Sequence, residues 1–364
     1  MVSLLSVSRL LSRSRLSSSP SLRTVLSTQR ASLYSDAFNR LDMTKSKVAK
    51  ANLLVSDQSE AKAKLKKEYL DNGLRNIFNE EIQRLILLSS QEEDLEFCQK
   101  VVCDQLQDNL HSLDLTNLNY NLMLFFDMCH IINSPGPARK CWSQSEVRSI
   151  LESLRSRRRI HRVYFHLLYK NEMYGDLLEE FQLQPEDLSK LPGQAPLVLA
   201  LVSLYKIGSR ASLEEGLKLV PLVDPAKLSS SRGVKAVSLL AYNLGEYSIA
   251  QSLLTKQMKM RVQERRKFSS FNDSLHVLLL IATGKLSEAV TKFRIHFLPT
   301  SPKDKLRLNY CVVGDLLTAV KENEELYKEV MKMVLFIEKS EQVFLSNLSL
   351  EDELLKTMDV INDK

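Results

Sequence analysis

Ser238-Leu239-Leu240-Ala241-Tyr242-Asn243-Leu244-Gly245-Glu246-Tyr247-Ser248-Ile249-Ala250 is echoed by Leu278-Leu279-Leu280-Ile281-Ala282-Thr283-Gly284-Lys285-Leu286-Ser287-Glu288-Ala289. Each stretch is an apolar helical segment, a turn containing glycine, and the start of a second helix. The turn glycines Gly245 and Gly284 stand 39 residues apart. Looser copies place their turns near Ser90, Asn133, Glu172, Gly208 and Asn323, with steps of 36 to 43 residues along the series. One helical hairpin cannot bury its apolar face, but a stack of them can, so a repeat of this length predicts an α-solenoid. Solenoids present surfaces to ligands, which makes the nature of the ligand the functional question.

Bulk composition agrees. The chain has 364 residues and is 44% hydrophobic, enough to bury a sizeable core. Gly and Pro number only ten each, and Leu recurs at i, i+3 and i+4, as in Leu85-Ile86-Leu87-Leu88 and Leu197-Val198-Leu199-Ala200-Leu201-Val202. The predicted fold class is all-α, a right-handed solenoid of about six or seven antiparallel helical hairpins. No apolar run approaches the roughly 20 residues of a membrane span. Prolines at 135, 137, 185, 192, 225, 299 and 302 fall where turns are expected.

Four regions are predicted. Residues 1–31 contain Arg9, Arg13, Arg15, Arg23 and Arg30, many serines and no acid. That is the composition of a mitochondrial transit peptide; Arg9 and Arg13 interrupt the apolar stretch a secretory signal needs. Arg30-Ala31-Ser32 places an arginine two residues before a matrix-peptidase cut. The expected location is the mitochondrial matrix. Residues 32–73 form a charged lead-in with Lys45, Lys47, Lys50, Lys62, Lys64, Lys66 and Lys67, predicted to be partly helical and weakly packed. Residues 74–340 carry the repeats. Residues 341–364 are an acidic cap or tail, where Ser349 and Asp352 predict a capping box.

Charge alone does not point to nucleic acid. The net +6 includes the five leader arginines, so a chain starting at Ser32 has 45 bases against 44 acids. Any anion site must therefore be local. The sharpest candidate is Arg155-Ser156-Arg157-Arg158-Arg159-Ile160-His161-Arg162. On a helix, Arg155, Arg158, Arg159 and Arg162 share a face, and the guanidinium fork suits phosphate. The bland alternative is a solvated helix end. A second cluster contains Lys256, Lys259, Arg261, Arg265, Arg266 and Lys267, and for it the solvated reading is preferred. The tyrosines at 34, 120, 164, 205, 242, 247 and 310 are read as packing between helices.

No catalytic, cofactor-binding or metal-binding motif is legible. His111, His130, His161, His166, His276 and His296 are dispersed, and the glycines make neither a P-loop nor a dinucleotide fingerprint. Cys98, Cys103, Cys129, Cys141 and Cys311 have no zinc spacing and are expected to be reduced packing residues. The chain is expected not to be an enzyme, to need no cofactor and to bind no metal.

Leu118-Asn119-Tyr120-Asn121-Leu122-Met123 resembles the opening of a pentatricopeptide-repeat first helix. The turns Gly245-Glu246-Tyr247-Ser248-Ile249-Ala250 and Gly284-Lys285-Leu286-Ser287-Glu288-Ala289 are similar to that family's hinge and second-helix start. Leu33-Tyr34-Ser35-Asp36, Leu65-Lys66-Lys67, Lys170-Asn171-Glu172-Met173-Tyr174 and Leu204-Tyr205-Lys206-Ile207 extend the likeness to small, degenerate mitochondrial members. The resemblance implies a matrix protein that binds mitochondrial RNA, a messenger or precursor transcript, during its maturation. Respiratory-chain expression would depend on it, with RNA-processing proteins as possible partners. It also implies that Asn121 reads a base edge, one nucleotide per repeat. The equivalent slots hold Arg162, Val198, Lys235, Ser274 and Val313. Of these only Ser274 is a typical reader, so loose or partner-assisted binding is expected, with Arg155, Arg157, Arg158, Arg159, Arg162, Arg261, Arg265 and Arg266 contacting phosphates. The alternative is a protein–protein scaffold that binds no RNA.

Overall fold

The computed structural model describes residues 33–55, 57–109, 116–151, 157–182, 194–223, 231–263, 270–297, 306–339, 343–346 and 349–356. The predicted leader, residues 1–31, lies outside them. The chain divides into two compact units, Ser32–Ala200 and Leu201–Lys356. The sequence-predicted boundaries near residues 73 and 340 do not mark this division.

The N-terminal unit begins with α1 (Asp36–Asn39), α2 (Leu41–Leu53) and α3 (Gln58–Asn72). There follow α4 (Asn79–Leu87), α5 (Glu92–Asn109), α6 (Thr116–Ile132), α7 (Pro135–Trp142), α8 (Ser145–Leu151), α9 (Arg157–Lys170) and α10 (Tyr174–Gln182). A helix α11 (Ala195–Ile207) runs through the boundary between units. In this unit α4, α6 and α9 pack side by side as a first row, with α5 and α7 forming a second row behind them. Helix α6 has buried residues on nearly every side, among them Leu118, Leu122, Phe125, Phe126 and Cys129, as befits a helix with neighbours all round. At the centre Trp142 stacks on Tyr164 at 4.4 Å and meets Phe126 edge-on at 5.9 Å. Its indole N–H donates to Glu180 at 2.9 Å, which satisfies the buried polar tip.

The C-terminal unit contains α12 (Arg210–Leu219), α13 (Arg232–Asn243), α14 (Tyr247–Gln263), α15 (Ser270–Ala282), α16 (Leu286–Phe297), α17 (Tyr310–Ala319), α18 (Glu324–Lys339) and α19 (Leu350–Leu355). Here α13, α15 and α17 form the first row, and α14, α16 and α18 pair with them as second helices. Among the described residues helices make up the architecture, with one short ladder beside them. Strand β1 (Leu306–Asn309) pairs in parallel with β2 (Val343–Ser346), joined through the α17–α18 hairpin. Parallel strands require a long crossover, and the last hairpin supplies one.

The hinges explain why the repeat was visible in the sequence. Asn133, Glu172, Gly208, Gly245 and Gly284 all have positive φ, between 60° and 78°. After α13 the Gly245 N–H donates to the Tyr242 carbonyl at 3.0 Å and the Glu246 N–H to the Ala241 carbonyl at 2.9 Å. The same paired bonds recur at Gly284–Lys285, Glu172–Met173 and Asn133–Ser134. This is the Schellman closure, which satisfies carbonyls left open at a helix end and reverses the chain. The first helices α6, α9, α11, α13 and α15 therefore stop at a left-handed residue before their partners begin, whereas α4 and α17 end on residues with negative φ, Leu88 and Val320.

The lead-in is not weakly packed, contrary to its composition. Leu33, Tyr34 and Leu41 are fully or almost fully buried, as are Leu65 and Tyr69. Helix α2 packs on α4 and α6, α1 packs on α9, and α3 packs on α4. Lys62 and Lys66 both pair with Asp94, at 2.7 and 2.9 Å. These two ammonium groups hold the Asp94 carboxyl down at about 2, against the opposing effect of its burial. The lysine-rich segment thus packs on its own unit, with α2 along the first row and α3 against α4 and the second-row helix α5.

Candidate nucleic-acid interface

Helix α9 opens with Arg157, Arg158 and Arg159 and carries Arg162 one turn later. Arg158 is exposed, while Arg157, Arg159 and Arg162 are half-buried. The structure gives Arg159 internal work: its guanidinium pairs with Asp127, whose side chain is only 1% exposed. It also donates to the Arg40 carbonyl at 2.9 Å. Thr44 Oγ1 donates to the same Asp127 carboxylate at 2.6 Å. Burial pushes the Asp127 carboxyl up to about 6, against the pull of Arg159.

Arg162 lies over the Phe38 ring, 4.9 Å from its centroid, a cation–π arrangement. Burial lowers its pKa, and the positive charges of Arg40 and Arg159 lower it further. Arg40 is exposed and left-handed, with φ 59°. The fold therefore adds Arg40 to the cluster, which the local spacing of residues 155–162 could not reveal. Lys47, from the same lead-in, donates to the Tyr120 hydroxyl and sits 4.6 Å from that ring's centroid.

Beneath this surface lies a buried polar core. Tyr34 N–H donates to His166 Nε2 at 3.3 Å, and the Asn39 amide and His130 Nε2 lie 2.8 and 2.9 Å from His166 Nδ1. Burial holds His130 down to about 4 and His161 to about 3. It also holds His166 well below its ordinary value, with the neighbouring His130 adding to the effect. The imidazoles are neutral packing groups: His130 and His166 tie the lead-in to α6 and α9, and His161 meets Trp142 edge-on at 4.9 Å.

The base-reading expectation for Asn121 is corrected by its environment. Asn121 is 0% exposed. Its Nδ2 donates to Gln105 Oε1 at 2.9 Å and lies 3.4 Å from Asn79 Oδ1. Gln105 Nε2 donates in turn to Asn79 Oδ1 at 2.8 Å. The amide stitches α6 to α4 and α5, so a base edge would have to displace packed side chains to reach it. Ser274 is likewise fully buried. Lys235 lies 5.3 Å from the Phe271 ring centroid, and Val313 is a core residue at 2% exposure.

The second basic cluster falls on a second helix, α14, where Lys256 and Lys259 are exposed. Arg155, Arg265 and Arg266 lie outside the described residues, as does the side chain of Arg261. Cys98, Cys103, Cys129 and Cys141 are buried, Cys311 is half-buried, and all five are free thiols. Among the described residues no group of three or more His, Cys, Asp or Glu could hold a metal ion. No described helix is long and apolar enough to cross a membrane. Comparison with known proteins adds no neighbour: no family model, no curated protein and no solved structure matches the chain.

Proposed function

We propose that this chain is a mitochondrial pentatricopeptide-like α-solenoid that holds single-stranded RNA by its phosphates and presents it to processing factors. It performs no chemistry of its own. The observation that carries this reading is the gathering of arginines at the start of α9: Arg159 donates to the Arg40 carbonyl at 2.9 Å, Arg162 lies 4.9 Å from the Phe38 ring centroid, and Arg158 beside them is exposed. Gathering like charges is unfavourable in isolation, and a polyanion relieves it. Burial of Asn121 argues against one-base-per-repeat readout and for binding with little sequence preference.

Arg157→Ala/Arg158→Ala is the clean test, because Arg159 holds Asp127 inside the fold. Binding of a fluorescent single-stranded RNA, followed by anisotropy, should weaken across all sequences. The slope of log affinity against log salt should shrink by about 1.4, or roughly 0.7 for each lost contact. An unchanged affinity and slope would remove this patch from the interface. Matrix location rests on residues 1–31. Import into energised mitochondria should yield a mature chain starting at Ser32, and N-terminal sequencing would check it.

One set of observations favours a second reading, a protein scaffold. The two residues of base-reading type, Asn121 and Ser274, are both buried, and helices α1 and α2 cover the first row of their unit. A stoichiometric protein partner, recovered after nuclease treatment and indifferent to the arginine substitutions, would replace the RNA reading.

A further inference from the structure

Helix α19, only six residues long, lies on the first-row helices α13 and α15 of the C-terminal unit. Its Ser349 capping box closes one end, with Ser349 N–H and Asp352 Oδ2 at 2.9 Å and Asp352 N–H and Ser349 Oγ at 3.0 Å. Leu350 and Leu354, one turn apart, are buried at 5% and 2% exposure. A helix of this length has no stability of its own in water, so its order comes from the row beneath it.

The polar contacts are one-sided in charge. Glu351 Oε1 accepts from Lys206 Nζ at 3.1 Å. Glu353 is held at both oxygens: Oε1 accepts from Ser270 Oγ at 2.9 Å, and Oε2 accepts from Asn309 Nδ2 at 3.1 Å. Arg232 donates to the Lys356 carbonyl. Arg232 and Ser270 are the first residues of α13 and α15, and Asn309 is the N-cap of α17. Successive first helices thus aim their starts, where the backbone dipole favours anions, at the same carboxylate-bearing segment. Lys206, near the end of α11, adds a full positive charge.

We propose that this line of helix starts is an anion-binding row for the phosphates of single-stranded RNA, and that Glu351 and Glu353 occupy it as an internal strap. The proposal rests on the RNA reading above and names a covered contact within the C-terminal unit for the same class of ligand. Carboxylates and phosphodiester oxygens are both acceptors for charged and neutral donors of this kind. The strap is held by two leucines and a few polar bonds, and RNA that neutralises Lys206 and Arg232 competes with it directly. Binding at this row then requires release of the strap from α13, α15 and α17.

Glu351→Gln/Glu353→Gln tests it in the full-length protein, since both leucine anchors and the cap are retained. With a fluorescent single-stranded RNA as probe, the variant should bind about tenfold more tightly than wild type, with a steeper salt dependence. Adding Lys206→Ala should cancel the gain. In wild type, RNA should also strip hydrogen-exchange protection from the amides of residues 350–355. If wild type binds RNA and the glutamine variant binds no better, the strap is wrong and the RNA reading stands. If neither protein binds RNA, the RNA reading itself fails. If the variant gains affinity only for an acidic peptide carrying residues 349–356, the row is a helix-docking site and the proposal is overturned.

Discussion

Glu172 sits in the left-handed region at φ 60°, where Gly208, Gly245 and Gly284 occupy the corresponding hinges between other paired helices. A residue with a Cβ resists this conformation by roughly 1–2 kcal/mol, and glycine avoids that cost at some loss of chain entropy. Glu172→Gly should therefore raise stability by about 0.5–1 kcal/mol, and Gly245→Ala should lower it by about 1 kcal/mol. No atom lies within 4 Å of the Cβ position at Gly245, so the effect there is one of backbone strain. Urea denaturation would check both, and a stabilising Gly245→Ala would contradict the hinge account. The hinges were legible because a left-handed residue is a local requirement that composition records. Asn121 was misread for the complementary reason. Its residue type suits base recognition, but its neighbours Gln105 and Asn79, 16 and 42 positions away, decide which way the amide faces.

At the level of elements, α1 and α2 of the lead-in and the C-terminal helix share one behaviour, each lying on the first row of its own unit. For the lead-in this dependence can be measured. Tyr34 is 1% exposed, stacks on Phe38 at 4.4 Å and donates its backbone N–H to His166. Tyr34→Ala should cost about 3 kcal/mol, the range for emptying a buried aromatic site. Chemical denaturation would measure it, and a loss below about 1 kcal/mol would mean that α1 and α2 are peripheral to the fold. The close packing of this segment was hidden in the sequence because its few apolar residues are scattered among lysines. The Ser349–Asp352 cap at the other end was legible, since both partners lie within one turn. The β1–β2 ladder was not, because it joins residues 37 positions apart whose pairing depends on the intervening hairpin.

Across the whole molecule, buried titratable groups set how stability responds to acid. His130, His161 and His166 have folded-state values below their ordinary 6.5, with His130 at about 4 and His161 at about 3. Their contribution to stability is complete above pH 6.5 and is lost as pH falls toward those values. Asp127 acts in the opposite sense, because a carboxyl raised to about 6 favours the folded state once protonated. A tenfold change in proton affinity is worth about 1.4 kcal/mol for either kind of group. Burial raises Glu180 and Asp315 as it raises Asp127, and lowers His276 and His296 as it lowers the other three, so five histidines outweigh three carboxyls and leave a net loss. The urea midpoint should fall steadily between pH 6.5 and 4, and a flat profile would mean that these imidazoles open to solvent before the fold does. Local sequence was enough to establish a helical chain with hinges near every 39 residues, an arginine cluster at 155–162 and a capped acidic end. Each of these depends on residues within a turn or two of one another. Only folding turned Asn121 inward, set Asp127 against Arg159 with Arg40 joining the patch, and laid α19 over Lys206, Ser270 and Asn309. Those outcomes pair residues from distant parts of the chain, and packing and desolvation select such pairs without leaving a local pattern to read.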